Sequence, residues 1–502
     1  MPRTTPLVAA LVLATSLAHP ADAQNRPVFK QPFACGQSWD ASTYDPHGTG
    51  IDNLDFFYWR ERDSKAFTEA ENLTFGQYVL ASAAGTVVHD SLSPDDDNGQ
   101  VRRLRIEHAN GWITNYLHLV IEPPFLEPGR KVAMGEVIAR AGRSGTRVSE
   151  EHIHYNQTNP AGQVTRVEFD RRPVATHAGA PDTWGLALSE NAERIGSANC
   201  TGAQFIRWTD GGETYILRYN PGQRKARITR LDPDGRGGTN TWTGENWGRS
   251  WSHFADWRGA DGNRYLLRYS AARGRASFLR IEPDGAGLTT LRETSTWQQR
   301  WTKIVRAAHF GFVYLVTYDS LTGYQQIRIV NAANDSGAVT HVMDDIKGWT
   351  HILPFDQNGD QYLLYYKAAT GRMVIRRLDD ISDSGDNGTN LDLVTVYDGV
   401  RNPGWTHLTL ARDGRTLFMV GFRATNGRTR IWRIGVPSEG PRGVSRFDLN
   451  RKWDIITAYR QGGQARLLFY GIDAGDGATF DVTNGGSGLT ELATFDWQGG
   501  WR

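Results

Sequence analysis

Six times between residues 215 and 470 the chain passes through a five-residue stretch dominated by aliphatic and aromatic side chains. These are Tyr215-Ile216-Leu217-Arg218-Tyr219, Tyr265-Leu266-Leu267-Arg268-Tyr269, Tyr314-Leu315-Val316-Thr317-Tyr318, Tyr362-Leu363-Leu364-Tyr365-Tyr366, Phe418-Met419-Val420-Gly421-Phe422 and Arg466-Leu467-Leu468-Phe469-Tyr470. Alternate residues of a strand share a face, so Tyr362, Leu364 and Tyr366 project one way and Leu363 and Tyr365 the other. Both faces are apolar, as expected of a strand covered by a neighbouring sheet on each side. A turn such as Asp261-Gly262-Asn263 or Asn358-Gly359-Asp360 often precedes the stretch, and Thr370-Gly371 or Asn426-Gly427 follows it. A second strand then ends in Arg-Ile or Arg-Leu, as in Val374-Ile375-Arg376-Arg377-Leu378. Trp251, Trp301, Trp349, Trp405, Trp453 and Trp501 each close a unit, at separations of 50, 48, 56, 48 and 48 residues. A period near 48 with about four strands per unit predicts β-propeller blades, and six units predict a closed six-bladed ring over 203–502. A solenoid would carry polar capping units at its ends. Closure explains their absence here and brings the last unit against Phe205-Ile206-Arg207-Trp208. One Trp at a fixed place in each unit is what packing between blades needs, and this reading is preferred to sugar stacking.

The front of the chain has a different signature. In Glu151-His152-Ile153-His154-Tyr155-Asn156 the two histidines share one face of a strand. His118 follows in Tyr116-Leu117-His118-Leu119, and His47 and Asp55 stand just ahead of an apolar stretch. Leu54-Asp55-Phe56 reads as a strand with its acid opposite its apolar neighbours. Two imidazoles with further donors in the same chain point to a metal site, and three protein ligands with one open position are the catalytic form of a zinc site. The other histidines, His89 and His108 among them, read as structural, and Glu150-Glu151 as a solvated loop.

Taken in order, these motifs resemble the lysostaphin/LytM-type zinc endopeptidases over roughly residues 33–160. The resemblance rests on Ala81-Ser82-Ala83-Ala84-Gly85-Thr86-Val87, on Tyr116-Leu117-His118-Leu119, on Gly135-Glu136-Val137-Ile138-Ala139 with Ser144-Gly145-Thr146, and on His152-Ile153-His154. It implies a small antiparallel-β domain that cuts peptide bonds of bacterial cell walls. It implies a zinc ion (Zn2+) held by His47, Asp55 and His154, with His118 and His152 as catalytic histidines outside the coordination shell. His152 is given proton transfer and His118 the oxyanion, and the two roles are exchangeable at this level. The gap from His47 to Asp55 is longer than the family's usual His-x-x-x-Asp, which leaves Asp52 as a rival to Asp55. Some family members that open on Cys-Gly-Gln carry such a longer gap, and this chain has Cys35-Gly36-Gln37. The ring units are weakly similar to those of secreted lectin-like propellers.

Length and composition add boundaries. At 502 residues the chain needs more than one core. Its 55 glycines and 17 tryptophans suit turn-rich β-structure with large packing residues. Residues 1–23 read as a secretory signal: Arg3, an apolar run from Leu7 to Leu17, and Ala21-Asp22-Ala23 as the cleavage site, with a mature start near Gln24. No later stretch approaches the roughly 18 apolar residues of a membrane helix. A formal net charge of +1 gives no basic footprint for nucleic acid. Cys35 and Cys200, an even pair in an exported chain, are expected to form a disulfide.

The expectation is therefore a mainly β, secreted, monomeric protein with four parts: a signal at 1–23, a peptidase domain at 24–160, a connecting segment at 161–202 and the propeller at 203–502. Its partner would be bacterial peptidoglycan or another cell-wall glycan. Two alternatives stay open at this level. One is a non-catalytic wall- or glycan-binding protein on an inert peptidase-like scaffold. The other is a zinc peptidase acting on other Gly-rich proteins.

Overall fold

The computed structural model describes residues 26–497 apart from 34–36, 44–52, 59–73, 96–98, 122–125, 146–150, 175–192, 198–203, 332–334, 381–390, 450–452, 472–474 and the turn positions 222, 249, 272, 299–300, 310, 321 and 425. The expected signal segment, Cys35, His47, Asp52, Cys200 and Trp501 lie outside the described residues. Among the described residues the regular structure is β-strand with short 3-10 turns and no α-helix. None of their helices is long and apolar enough to cross a membrane.

Thirteen strands build the first domain: β1 (Ser38–Ser42), β2 (Leu54–Phe57), β3 (Tyr78–Leu80), β4 (Gly85–Asp95), β5 (Gly99–His108), β6 (Ile113–Leu117), β7 (Lys131–Val132), β8 (Val137–Arg140), β9 (Ile153–Thr158), β10 (Val164–Thr165), β11 (Glu168–Phe169), β12 (Arg172–Pro173) and β13 (Glu193–Gly196). One sheet runs β13-β1-β2-β9-β6-β5-β4-β7, with β10 added to β9, while β3 pairs with β8 and β11 with β12. Period-two alternation gives this sheet two unlike faces. Leu54, Phe56, Leu104, Ile106, Tyr116, Ile153 and Tyr155 are buried with Phe33, Trp39, Val79 and Ile138 in one core. The other face carries Asp55, Asn115, His154 and Asn156. Gly85 is required where β4 passes β5, because a Cβ there would lie 2.4 Å from the Glu107 carbonyl oxygen.

The segment expected to be a connector, 161–202, is instead partly built into this domain. β10 extends the sheet from β9, and β13 pairs antiparallel with β1 from Ser38↔Gly196 to Ala41↔Glu193. Val167, Phe169 and Val174 are buried in the first core. Two-residue pairings carry no readable alternation, and the partner of β13 lies far back in the chain, so local sequence gives no sign of either.

The second domain is a ring of six four-stranded antiparallel sheets, each from one continuous stretch: 204–244, 253–294, 303–344, 351–400, 407–448 and 455–496. The repeated apolar stretch is the second strand of each blade, buried on both faces. The tryptophans differ from the expectation in phase. Trp251, Trp301, Trp349, Trp405 and Trp453 precede the first strand of the following blade and are buried in the seams between blades. Among the described residues the last seam joins blade 6 to blade 1 through side-chain contacts and no backbone strand pairing. The Phe205 and Tyr470 rings are 5.2 Å apart, the Arg218 guanidinium lies 4.1 Å over Trp497, and Thr479 Oγ1 donates to the Gly235 carbonyl at 2.9 Å.

A second device recurs around the ring. Residues at the start of first strands reach the backbone of the next blade. His253 Nε2 is 2.7 Å from the Thr302 carbonyl oxygen, His351 Nε2 3.1 Å from that of Thr406, and His407 Nε2 2.6 Å from that of Asp454. In blade 1 the same place is held by Gln204, whose Nε2 donates to the Ser252 carbonyl. The two domains touch where Arg140 of β8 meets the buried Asp319 of blade 3, at 3.3 Å.

Candidate functional site

Three adjacent strands place the histidines. Asp55 of β2 is directly opposite His154 of β9, which is opposite Leu117 of β6. Asp55 Oδ1 lies 3.2 Å from His154 Nδ1 and 3.6 Å from His152 Nε2. His118 follows β6 with φ +59°, in the left-handed region that histidine enters more readily than most side chains. Its ring centroid is 4.6 Å from that of His152 and 5.8 Å from that of His154. The backbone beneath is clamped by Gly142, whose N–H donates to the His118 carbonyl at 3.0 Å and whose carbonyl accepts from the His152 N–H at 3.3 Å. A Cβ at Gly142 would sit 2.7 Å from the Val120 nitrogen, so the crossing needs glycine.

His118 Nδ1 is 2.7 Å from the Ser144 carbonyl oxygen. A carbonyl only accepts, so Nδ1 carries the proton and Nε2 of the neutral ring keeps its lone pair. Burial, with His152 next to it, pushes His118 down to about 3, so the ring is neutral at pH 7. Ser144 is itself braced: its hydroxyl donates to the Leu119 carbonyl at 2.7 Å and accepts from the Arg102 N–H at 3.0 Å. Arg102 pairs with Asp90 through two bonds of 2.9 and 2.8 Å and donates to the Val120 carbonyl at 2.9 Å.

The structure thus brings together Asp55, His118, His152 and His154, while His47 and its rival-bearing neighbourhood at Asp52 lie outside the described residues. Among the described residues no three His, Cys, Asp or Glu side chains form a complete metal group. The pair that is described fits zinc. Two donors each about 2.0–2.2 Å from one ion at a tetrahedral angle are about 3.4 Å apart, close to the Asp55–His154 separation. His108 is on the other face, with Nδ1 3.0 Å from the Ala84 carbonyl oxygen and Nε2 2.7 Å from Thr114 Oγ1, and burial lowers it to about 4.

Sequence reasoning did not find the polar floor beside the histidines. Asn156 donates to Asn53 Oδ1 at 2.8 Å, and Asn115 donates to Asn156 Oδ1 at 2.6 Å and to Thr158 Oγ1 at 3.1 Å. One strand further, Arg105 lies opposite Asn115. The side-chain ladder therefore runs beside the metal-type donors from Asn53, just ahead of β2, across β9 to β6. Its only sequence signal was the alternation of Asn156 with His154.

Residues 71–165 match the model of Peptidase family M23. The match contains His118, His152 and His154 and begins after His47 and Asp55. No curated protein matches the chain. Among solved structures, a zinc-containing peptidase from Vibrio cholerae is similar at 22% identity, over 30% of this chain and 39% of that one, with a TM-score of 0.18. A protein from Lactobacillus plantarum is similar at 11% identity over 70% of this chain and 93% of that one, with a TM-score of 0.38. A lectin from Aleuria aurantia is similar at 11% identity over 59% of this chain and 96% of that one, with a TM-score of 0.42.

Proposed function

We propose that this chain, which carries a Peptidase family M23 domain at residues 71–165 and a six-bladed propeller, is an exported zinc-dependent endopeptidase of bacterial peptidoglycan. The observation that carries the reading is the convergence of Asp55, His118, His152 and His154 on the polar face of the sheet. Asp55 and His154 would hold the metal, with His47 as the third ligand. Zinc, when bound, supplies a Lewis acid for the scissile carbonyl and makes water a nucleophile near neutral pH.

The chain's own residues divide the remaining work. His118, with Nδ1–H fixed on the Ser144 carbonyl, presents Nε2 as a proton acceptor, and the protonated ring can return that proton to the leaving amine. His152, its ring tilted against that of His118, is then left to donate to the developing oxyanion. This reverses the sequence-based division of roles, which had been exchangeable. The ladder of Asn53, Asn156 and Asn115 offers amide donors and acceptors to an extended peptide lying across the strands. The propeller would hold the enzyme on the wall, as a monomer outside the cytoplasm.

The test is digestion of purified peptidoglycan by the full chain, with new termini identified by mass spectrometry and zinc measured on the same sample. Zinc-dependent release of new amino termini is expected. A zinc-loaded protein that releases none from peptidoglycan while cleaving Gly-rich proteins would move the substrate to the latter.

A further inference from the structure

Between blades 4 and 5 lies a cavity of about 670 Å³ that is shallow and wide open to solvent. Its wall is formed by Val400 and the turn after it on one side and by the third and fourth strands of blade 5 on the other. Arg401, Arg430 and Arg442 line it, and no carboxylate is among the lining residues. Arg446 stands directly opposite Arg430 across the strand pair. Like charges in that relation destabilise a sheet. Burial lowers the Arg430 pKa, and Arg446 and Arg401 lower it further by repulsion.

Three other arginines of the ring are neutralised, while Arg218, like those at the cavity, has neutral partners in Thr229 and Asn240. Arg268 donates to Glu293 at 3.1 Å, Arg376 holds both oxygens of Asp345 at 2.6 and 2.7 Å, and Arg466 donates to Asp481 at 2.8 Å. At the cavity the partners are neutral. Arg430 donates to Asn402 Oδ1 at 2.7 Å and lies 5.2 Å from the Trp432 ring centroid. Arg401 donates twice to the Pro441 carbonyl, at 3.2 and 3.1 Å. The Arg430 guanidinium lies against Gly443, where a Cβ would be 2.6 Å from its Nη2 and would displace it. Arg442 reaches Glu439 at 2.7 Å, but both are well exposed, and such a pair is worth little and is readily replaced by a ligand anion. Two guanidiniums are thus fixed in place by neutral groups with donors to spare and, among the described lining residues, no carboxylate, which is how a site preorganised for an oxyanion is built.

We propose that this cavity binds an acidic saccharide, whose carboxylate or phosphate is held among Arg401, Arg430 and Arg442. The saccharide part rests on the reading of the propeller as a wall-binding module, and the anion part stands on the arginines alone.

The experiment is calorimetric titration of the full chain with trigalacturonate, with glucose 6-phosphate and with neutral maltotriose. Binding of the first identifies a carboxylate as the recognised group, binding of the second a phosphate, and binding of both their shared charge. In each case maltotriose should bind at least tenfold more weakly. R430Q should weaken the acidic probe about tenfold or more, the loss of one charge-assisted hydrogen bond. R442Q, at an exposed position, gives a second variant without risk to folding, and R258Q, on another blade, should change nothing. Equal binding of maltotriose, no binding of either acidic probe, or unchanged binding in both R430Q and R442Q would overturn the site. Retention on insoluble peptidoglycan is measured in parallel. Retention without acidic-probe binding rejects the cavity and keeps the wall reading; arginine-dependent binding of an acidic probe without retention does the reverse.

Discussion

The histidines that join one blade to the next make the stability of the propeller depend on pH. Burial lowers His253 to about 4 and His351 to about 3, and lowers His407 in the same direction. In the unfolded chain each titrates near 6.5, so between about pH 6.5 and 4 the unfolded state binds more protons than the folded one. Stability is then full above about 6.5 and is lost as pH falls toward the folded values. At pH 5 the linkage amounts to about 2 kcal/mol for each of His253 and His351 relative to pH 7. Each ring is only half-buried, so solvent screening reduces this to about 1 kcal/mol, or about 2 kcal/mol for the two, with His407 adding in the same direction. Gln204 shows how to remove the titration and keep the bond, since its amide already makes the same contact from blade 1. The triple variant H253Q/H351Q/H407Q should match the parent at pH 7 and exceed it by at least about 2 kcal/mol at pH 5. Urea unfolding followed by tryptophan fluorescence at the two pH values measures both. A variant that loses as much as the parent between pH 7 and 5 would show that these imidazoles are not the linked groups.

Other expectations can be checked alongside. H154A should lose zinc and activity together, whereas H118A should keep zinc and lose about 10²–10⁴-fold in rate, read by metal analysis and turbidity of a cell-wall suspension; D52N should spare both. R102M leaves the Asp90 carboxylate buried without its partner and should destabilise the first domain by about 3–5 kcal/mol, seen as faster hydrogen exchange in β5, with recovery of much of the loss in D90L/R102M. Cys35 and Cys200 should be joined, because Ser197 donates to the Gln37 and Phe33 carbonyls on either side of Cys35, at 2.8 and 2.6 Å; two titratable thiols in the denatured, unreduced chain would contradict this. Removing residues 455–502 should unfold the entire ring, so residual cooperative unfolding of the other five blades would count against closure.

Where sequence was legible, the information was local. The stretch Tyr362–Tyr366 shows two apolar faces without any knowledge of its neighbours, and a period repeated six times converts that into a ring. His152 and His154 share a face by alternation alone. What was illegible depended on register between distant strands. Asn53, Asn115 and Asn156 form one ladder only because β2, β9 and β6 align with Asp55 opposite His154 opposite Leu117. The orientation of His118 comes from a carbonyl in a later turn, which no spacing rule encodes. β13 completes the first sheet through a partner that precedes it by most of a domain. The tryptophan phase was misjudged for a related reason: a residue in a seam belongs equally to the blade before and the blade after, and only the strand boundaries decide.

The closing seam has a consequence for how the ring relates to the order of its chain. Many closed rings could be latched by giving one blade strands from both chain ends, and such a latch fixes where the polypeptide must be cut. Here blade 6 takes all four strands from 455–496 and meets blade 1 through Phe205, Tyr470, Arg218 and Trp497, contacts of the kind found at the other seams. No seam is topologically privileged. Joining 497 to 204 through a short loop and opening the backbone at any other seam would give a circular permutant with the same blades and the same six interfaces, so the linear order of the units is a matter of connectivity and not of architecture.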